Sequence, residues 1–165
     1  GALLFIRSLF HRLGARLMAQ PRPRDEFETE GEYLKAYWIM SEFGVDIEDY
    51  DHFESFFNGA FNSKCPQTFE EKKHWDELPE VVTIYRGYNA NNPMRWDGYS
   101  WTPEKDLAKF FARRRPEEGL GSVVCAEVEK DRICAVILTR GKEVEYIVTD
   151  VGDEDLTKLI KEKEE

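Results

Sequence analysis

The stretch VVTIYRG, residues 81–87, marks the point at which the chain changes from helix-like to strand-like patterning. It is rich in β-branched residues, and three further strand-like segments follow it. These segments are GSVVCAEV (121–128), ICAVILT (133–139) and EVEYIV (143–148). Helices followed by a strand-rich half predict an α+β fold.

The segments that precede this change have the patterning of helices. EYLKAYWIMSEF (32–43) and VDIEDYDHFESFFNGAF (45–61) carry aromatic side chains on one side and acidic ones on the other, and a shorter helix is predicted around FEEKKHWDEL (69–78). We expect the aromatic side chains to form a core. In the second half, PEKDLAKFFARRR (103–115) is the clear helix, and the tail DEDLTKLIKEKEE (153–165) is predicted to be a polar helix.

The size of the chain predicts one domain. With 165 residues, of which 41% are hydrophobic and 13% aromatic, residues 25–165 can fold around a single core, with a helical part at 25–78 and a strand-rich part at 80–150. The three cysteines have no metal-binding spacing, and their odd number favours a reducing, cytoplasmic compartment. No apolar run reaches the length of about 18 residues that spans a membrane, so stable membrane insertion is not expected.

Residues 1–24 differ from the rest of the chain in charge. The segment LLFIRSLFHRLGARLM (3–18) predicts a basic amphipathic helix, and QPRPRDE (20–26) predicts a linker after it. Three interpretations stay open: a packed N-terminal helix, a helix that docks on a membrane surface or a partner, and a transit peptide. Residues 25–165 carry 18 basic and 33 acidic side chains, a net charge of −15, which disfavours nucleic acid as a passive partner.

Arg86 and Gly87 end the first strand-like segment. An arginine on an apolar strand costs free energy unless it is paired or binds an anion, and its planar fork suits a phosphate or a carboxylate. The glycine beside it permits close approach of a ligand to the backbone. The alternative is an edge-strand arginine that pairs with an acidic side chain, and these residues alone leave both interpretations open.

The sequence Ser100-Trp101-Thr102-Pro103 precedes the predicted helix at 103–115. On a strand, Ser100 and Thr102 share one face while Trp101 points the other way, into the core. We predict that Thr102 caps the helix, with Pro103 at its first position, but capping does not explain Ser100. The side chains predicted to form the inward face of this helix are Leu107, Phe110 and Phe111.

Glu143 and Glu145 open the last strand-like segment with one residue between them. On a strand they stand side by side, so two like charges oppose each other. The alternative is a solvated strand edge, where one of the two glutamates pairs with Arg140 or Lys142.

An arginine that closes one strand, a Ser-x-Thr on the next and a Glu-x-Glu that opens a late strand, in this order, resemble the ADP-ribosyltransferase fold of the arginine–serine–glutamate class. The resemblance covers about residues 80–150. It is nearest to small bacterial and bacteriophage proteins with the order Y-R-G, S-W-T, a helix ending in F-A-R, and E-x-E. It implies a split β-sandwich that follows the helical part and uses NAD as a substrate, without a metal ion.

The resemblance also implies which residues bind NAD. Arg86 matches the arginine that holds the phosphate and ribose side of the molecule, and Gly87 matches the position whose backbone binds the nicotinamide amide. Thr102 matches the threonine that supports the serine-bearing strand. In related branches an aromatic residue about eleven positions after the serine stacks on nicotinamide, and here that residue is Phe111.

The catalytic roles implied by the resemblance fall on three residues. Ser100 matches the serine that orients the catalytic glutamate. Glu145 matches that glutamate, which hydrogen-bonds the 2′-hydroxyl of the nicotinamide ribose. Glu143 matches the residue that engages the acceptor in arginine-modifying members.

The implied activity is the transfer of ADP-ribose from NAD to a macromolecule, with protein arginine as the favoured acceptor. One alternative is the modification of RNA or DNA, as in toxin or anti-phage enzymes of this fold. The other is a catalytically degenerate module that binds a partner. The intact Arg86, Ser100 and Glu145 argue against degeneracy.

Overall fold

The structure is a computed structural model that describes residues 24–40, 50–59, 61, 64–89, 95–114, 121–141 and 143–161. Within these residues three α-helices come first: α1 (Glu30–Met40), α2 (Tyr50–Phe57) and α3 (Phe69–Asp76). The remainder contains β1 (Val81–Asn89), β2 (Ser100–Trp101), α4 (Lys105–Arg113), β3 (Gly121–Glu129), β4 (Ala135–Arg140), β5 (Glu143–Ile147) and β6 (Leu156–Lys161). The α+β prediction is confirmed, and the predicted basic helix at 3–18 lies outside the described residues.

The strands form two antiparallel three-stranded sheets. The first sheet has the order β1-β3-β6 and the second has the order β2-β5-β4. β1 and β3 pair along their full length, from Val81 opposite Glu129 to Asn89 opposite Gly121. The two sheets are joined where Tyr85 N donates to Thr102 O (2.7 Å) and Thr102 N donates to Tyr85 O (2.9 Å).

Apolar clusters divide the described part of the molecule into layers. α4 covers the outer face of the first sheet, the inner faces of the two sheets pack on each other, and α1 and α2 cover the outer face of the second sheet. The cluster between the sheets includes Val82, Ile84, Val124, Val136 and Tyr146. The cluster under the helices includes Leu34, Trp38, Phe53, Ile137 and Ile147. Trp38 of α1 and Phe53, Phe56 and Phe57 of α2 are therefore core residues, as predicted for the aromatic side chains of these helices.

Side chains from the helical part cover the edge of the second sheet. Gln67 Oε1 accepts from Val136 N at 2.8 Å, and Glu71 Oε2 accepts from Leu138 N at 2.9 Å. Glu71 is fully buried, and its other oxygen pairs with Lys35 Nζ of α1 at 2.5 Å. An edge strand with unpaired backbone groups is prone to pair with other chains, so these contacts both complete β4 and fix the helices on it.

The inward face of α4 differs from the prediction. Ala108 and Ala112 are buried against the first sheet, whereas Phe110 is 46% exposed. A Cβ added at Gly87 or at Gly121 would lie 1.8 Å from a backbone oxygen of α4. The helix therefore lies so close to β1 and β3 that only small residues fit between them. Leu107 and Phe111, also predicted to face inward, are half-buried at the flanks.

The predicted C-terminal helix at 153–165 is wrong over its described part. Residues 156–161 form β6, which pairs with the edge of β3 opposite to the edge that pairs with β1. A polar helix would have little apolar surface to bury, whereas a strand supplies hydrogen bonds to an otherwise unpaired edge. Arg132 holds the start of β6, because its guanidinium donates to both carboxylate oxygens of Asp155, at 2.9 and 2.7 Å. These hydrogen bonds lower the pKa of Asp155 below its ordinary value.

The contact between α4 and β3 predicts a large effect of Gly121→Ala. The new methyl group would meet Ala112 O at 1.8 Å and Ala112 C at 2.3 Å, so the helix must move away from the sheet. We expect a loss of about 1–3 kcal/mol or more in the free energy of unfolding, measured by urea titration. The control is Thr83→Ala, at an exposed position on β1, which should change it by less than about 1 kcal/mol. Equal effects of the two substitutions would contradict the close packing of α4.

Candidate active site

Arg86 lies at the junction of the two sheets. On β1 it lies two residues after Ile84 and shares its face of the strand, and Ile84 is buried between the sheets, so the side chain of Arg86 points toward the second sheet. Its Nη1 donates to the backbone oxygen of Ser100 at 3.0 Å. The arginine thus connects β1 to the strand that carries the serine.

Gly98 makes the position of this guanidinium possible. A Cβ at Gly98 would lie 2.3 Å from Arg86 Nη2 and 2.5 Å from Arg86 Cζ, so the guanidinium lies against the glycine backbone. Trp101 Nε1 donates to Gly98 O at 2.9 Å and holds the turn before β2. Trp101 is 1% exposed, which confirms that it points into the core. The sequence offers only a glycine in a loop here, and nothing in it shows that an arginine lies on that glycine.

Ser100 connects Arg86 to Glu145. Its backbone oxygen accepts from Arg86, and its hydroxyl donates to Glu145 Oε2. The contact arises because β2 pairs with β5, with Ser100 opposite Ile147. Glu145 precedes Ile147 by two residues and so shares its face of the strand. Three residues that are distant in the sequence are therefore brought together through one serine.

Glu145 is a buried carboxylate with donors from two directions. It is 8% exposed, and Trp38 Nε1 of α1 donates to Oε2 at 3.2 Å, on the same oxygen that accepts from Ser100. Hydrogen bonds to an ionised group offset part of the cost of burying it. The alternative of a solvated strand edge is therefore wrong for Glu145. Trp38 was not predicted as a site residue, because the contact depends on how α1 packs on the sheet.

Glu143 stands two residues before Glu145, at the start of β5. The two residues share a face of the strand, as predicted from the two-residue period of side chains along a strand. Their burial differs, because Glu143 is half-buried whereas Glu145 is buried. It lies opposite Arg140 in the β4–β5 hairpin, whose turn begins at Gly141 with a φ of +68°. The first glutamate is therefore nearer to solvent than the second.

The other predicted site residues are Thr102, Gly87 and Phe111, and their described contacts are with residues other than Glu145. Thr102 is 5% exposed and its hydroxyl accepts from Glu104 N at 3.1 Å. The helix begins at Lys105 with Glu104 as its N-cap, so the prediction that Pro103 is the first helical residue is wrong. Thr102 instead shapes the turn before the helix, since threonine hydroxyls also bond nearby backbone amides in turns.

Gly87 and Phe111 lie on the side of β1 that α4 covers. The absent side chain of Gly87 lets the backbone of α4 approach β1. Phe111 is half-buried, with its ring 5.7 Å from that of Phe110 and with the Arg114 guanidinium 5.3 Å from its centroid. The structure therefore places part of Phe111 at the surface rather than wholly in the core.

A second polar contact joins His74 of α3 to Tyr146 of β5, through His74 Nε2 and the tyrosine hydroxyl. Burial lowers the pKa of His74 and raises the pKa of Tyr146, so both side chains are neutral near pH 7. Tyr146 is neighbour to Glu145 but points to the opposite face, between the sheets. This contact anchors α3 and takes no part in the arrangement around Glu145.

The described residues lack two features, a metal-binding cluster and a membrane-spanning helix. No group of three or more His, Cys, Asp or Glu side chains in these residues could hold a metal ion. Within the same residues, every helix is too short or too polar to span a bilayer. In comparisons with known proteins, no family model, no curated protein and no solved structure matches the chain.

The contact between Gly98 and Arg86 predicts a selective effect of Gly98→Ala. The added methyl group meets the end of a flexible side chain rather than backbone, so the fold should persist while the guanidinium is displaced. On the NAD binding that the sequence resemblance implies, we expect the affinity for NAD, measured by calorimetry, to fall by about 10-fold, the scale of one lost charge-assisted hydrogen bond. The matched control is Gly152→Ala, whose methyl group would meet the carboxylate end of Glu154. Unchanged NAD affinity in folded Gly98→Ala protein would contradict this role of Arg86.

Proposed function

We propose that this protein is an NAD-dependent mono-ADP-ribosyltransferase. The observation that carries the proposal is the link from Arg86 through Ser100 to Glu145, in which the serine backbone contacts the arginine and the serine hydroxyl contacts the glutamate. These are the three residues in which the sequence resembles the arginine–serine–glutamate class. Two small sheets joined by the Tyr85–Thr102 bridge are also consistent with a split β-sandwich.

The residues around the site have the chemistry that NAD requires. Arg86 would contact the phosphate side of NAD, because the planar fork of a guanidinium matches the geometry of phosphate oxygens. Gly87 would present its backbone to the nicotinamide amide. Phe111 would offer a ring for stacking, and its partial exposure makes it accessible to a ligand. Thr102 would support the strand that carries the serine, through its bond to the turn before α4.

Glu145 is the residue to which we assign the chemical step. The reaction breaks the bond between nicotinamide and ribose, with its electron pair leaving on nicotinamide, and positive charge develops on the sugar. A carboxylate that is already oriented stabilises this charge without reorganising during the reaction. Ser100 and Trp38 hold Glu145 Oε2 from two sides, so the orientation of the carboxylate is fixed in advance. The side-by-side glutamates of β5 are tolerable because one of them faces a developing cation.

Glu143 is the residue to which we assign the binding of the acceptor. It is more exposed than Glu145 and lies on the same face of β5, so it can accept a proton or a hydrogen bond from the incoming nucleophile. A carboxylate pairs in a bidentate way with a guanidinium, which favours protein arginine. The net charge of −15 over residues 25–165 disfavours RNA and DNA at long range, although Arg113 and Arg114 could contact a phosphate locally.

The first test of the proposed function is Glu145→Gln. The substitution keeps the size of the side chain but removes the charge, so nicotinamide release from NAD should fall by about 10²-fold or more while NAD still binds. Release is measured by chromatography and binding by calorimetry. The comparison is Glu143→Gln on the same face of β5, which should lower transfer to an acceptor more than it lowers hydrolysis.

Two results would reject this division of labour. Nicotinamide release at the wild-type rate from folded Glu145→Gln protein would remove Glu145 from the chemical step. Equal losses of hydrolysis and transfer in Glu143→Gln would remove the acceptor role from Glu143. Absence of nicotinamide release from the wild-type protein would instead favour the partner-binding module over an enzyme.

A second prediction concerns the acceptor. When the protein is incubated with cell lysate and NAD labelled in its adenylate part, we expect the label on protein arginine, because the acidic body repels phosphate backbones. Protease should remove the macromolecular label, whereas ribonuclease and deoxyribonuclease should leave it. Glu145→Gln provides the background control. Label that survives protease and disappears with ribonuclease or deoxyribonuclease would show that the acceptor is a nucleic acid rather than a protein.

A further inference from the structure

Trp38 links the helical N-terminal part to the carboxylate at the centre of the site. It lies on α1, more than a hundred residues before Glu145 in the sequence, and its Nε1 donates to Glu145 Oε2 at 3.2 Å. The resemblance that indicated the site begins at about residue 80, so it does not include this tryptophan. The contact is therefore a property of this chain's own tertiary structure.

The indole is held rigidly. Trp38 is 4% exposed, and its ring lies 5.0 Å from Phe57 in an edge-on arrangement and 5.6 Å from Phe53. Aromatic contacts of this kind leave the ring little freedom to rotate. A donor that cannot move fixes the position of its acceptor, and Ser100 acts on the same carboxylate oxygen from the side of β2.

We propose that Trp38 is a positioning residue for Glu145, so that α1 is a component of the active site rather than a separate structural part. This inference rests on the proposed function. Together, the indole and the serine hydroxyl hold one oxygen of the carboxylate and define the plane of the group. A carboxylate that is already oriented needs no reorganisation when positive charge develops beside it.

The test compares Trp38→Phe with Trp75→Phe. Both substitutions remove an indole N–H and replace the two fused rings of the indole by one phenyl ring. Trp75 donates to Lys130 O at 3.1 Å and stacks on Phe61, 4.7 Å away, at a place that has no role in the proposed site. Steady-state rates of nicotinamide release are measured for both variants over a range of NAD concentrations, which gives kcat and KM separately, alongside thermal melts that show whether each is folded at the assay temperature.

We expect kcat of Trp38→Phe to fall by about 10-fold or more, with KM for NAD changed by less than about 3-fold. Trp75→Phe should keep the wild-type kcat even if its melting temperature falls. A merely structural role of Trp38 would lower the melting temperature of Trp38→Phe while the folded protein keeps the wild-type kcat.

Several results would overturn the inference. Wild-type kcat in folded Trp38→Phe protein would show that the contact does not position Glu145, and a higher kcat would show that Trp38 obstructs the site. A rise in KM for NAD as large as the loss of kcat would show a general disturbance of the site rather than the positioning of Glu145.

A double-mutant cycle on the free energy of unfolding separates failure of the inference from failure of the proposed function, because this measurement needs no catalytic turnover. Trp38→Phe, Glu145→Leu and the double variant should have non-additive effects on the free energy of unfolding, because leucine offers no acceptor to the indole. Additive effects would overturn the contact itself. If the effects are non-additive but the wild type releases no nicotinamide, the proposed function fails, and the positioning role fails with it.

Discussion

The two backbone hydrogen bonds between Tyr85 and Thr102 are the constraint on which the arrangement of the site depends. They join one sheet to the other, at 2.7 and 2.9 Å, in the middle of β1 and just after β2. Arg86 follows the first of these residues and Ser100 precedes the second by two. A shift of this pairing by one residue would turn the arginine to the opposite face of β1. The register therefore decides whether the guanidinium reaches the serine at all.

Two buried carboxylates show how differently the fold uses such groups. Glu71 is fully enclosed, and it accepts from Lys35 Nζ, Thr68 N and Leu138 N. A buried ion pair of this kind adds little net stability but strongly penalises the removal of either partner, so it specifies how α1, α3 and β4 fit together. Glu145 accepts from a hydroxyl and an indole that come from β2 and α1. Glu145 is buried against an apolar cluster, where the local dielectric constant is low. Its electrostatic attraction to a nearby positive charge is therefore stronger than it would be in water.

The sequence was sufficient for most elements and for choosing three residues that the fold brings together, but not for contacts that depend on packing distance. Short-range patterns placed four helices and four of the strands, and they selected Arg86, Ser100 and Glu145. They failed for the tail, where the unpaired edge of β3 overrides the helical pattern of polar residues. They also chose the wrong face of α4, because the helix approaches the sheet through alanine rather than through phenylalanine. Gly98 and Trp38 could not be found at all, since each matters through a neighbour distant in the sequence.

The anchoring of α1 connects these observations. Lys35 and Trp38 are three residues apart, so they lie on the same side of the helix. Lys35 pairs with Glu71, which in turn accepts from the backbone of β4, while Trp38 donates to Glu145 on the neighbouring strand β5. The ion pair thus sets the distance of the helix from the second sheet, and that distance is what brings the indole within reach of the carboxylate. On the proposed function, the orientation of the group that meets the developing charge depends on a salt bridge that takes no part in the reaction.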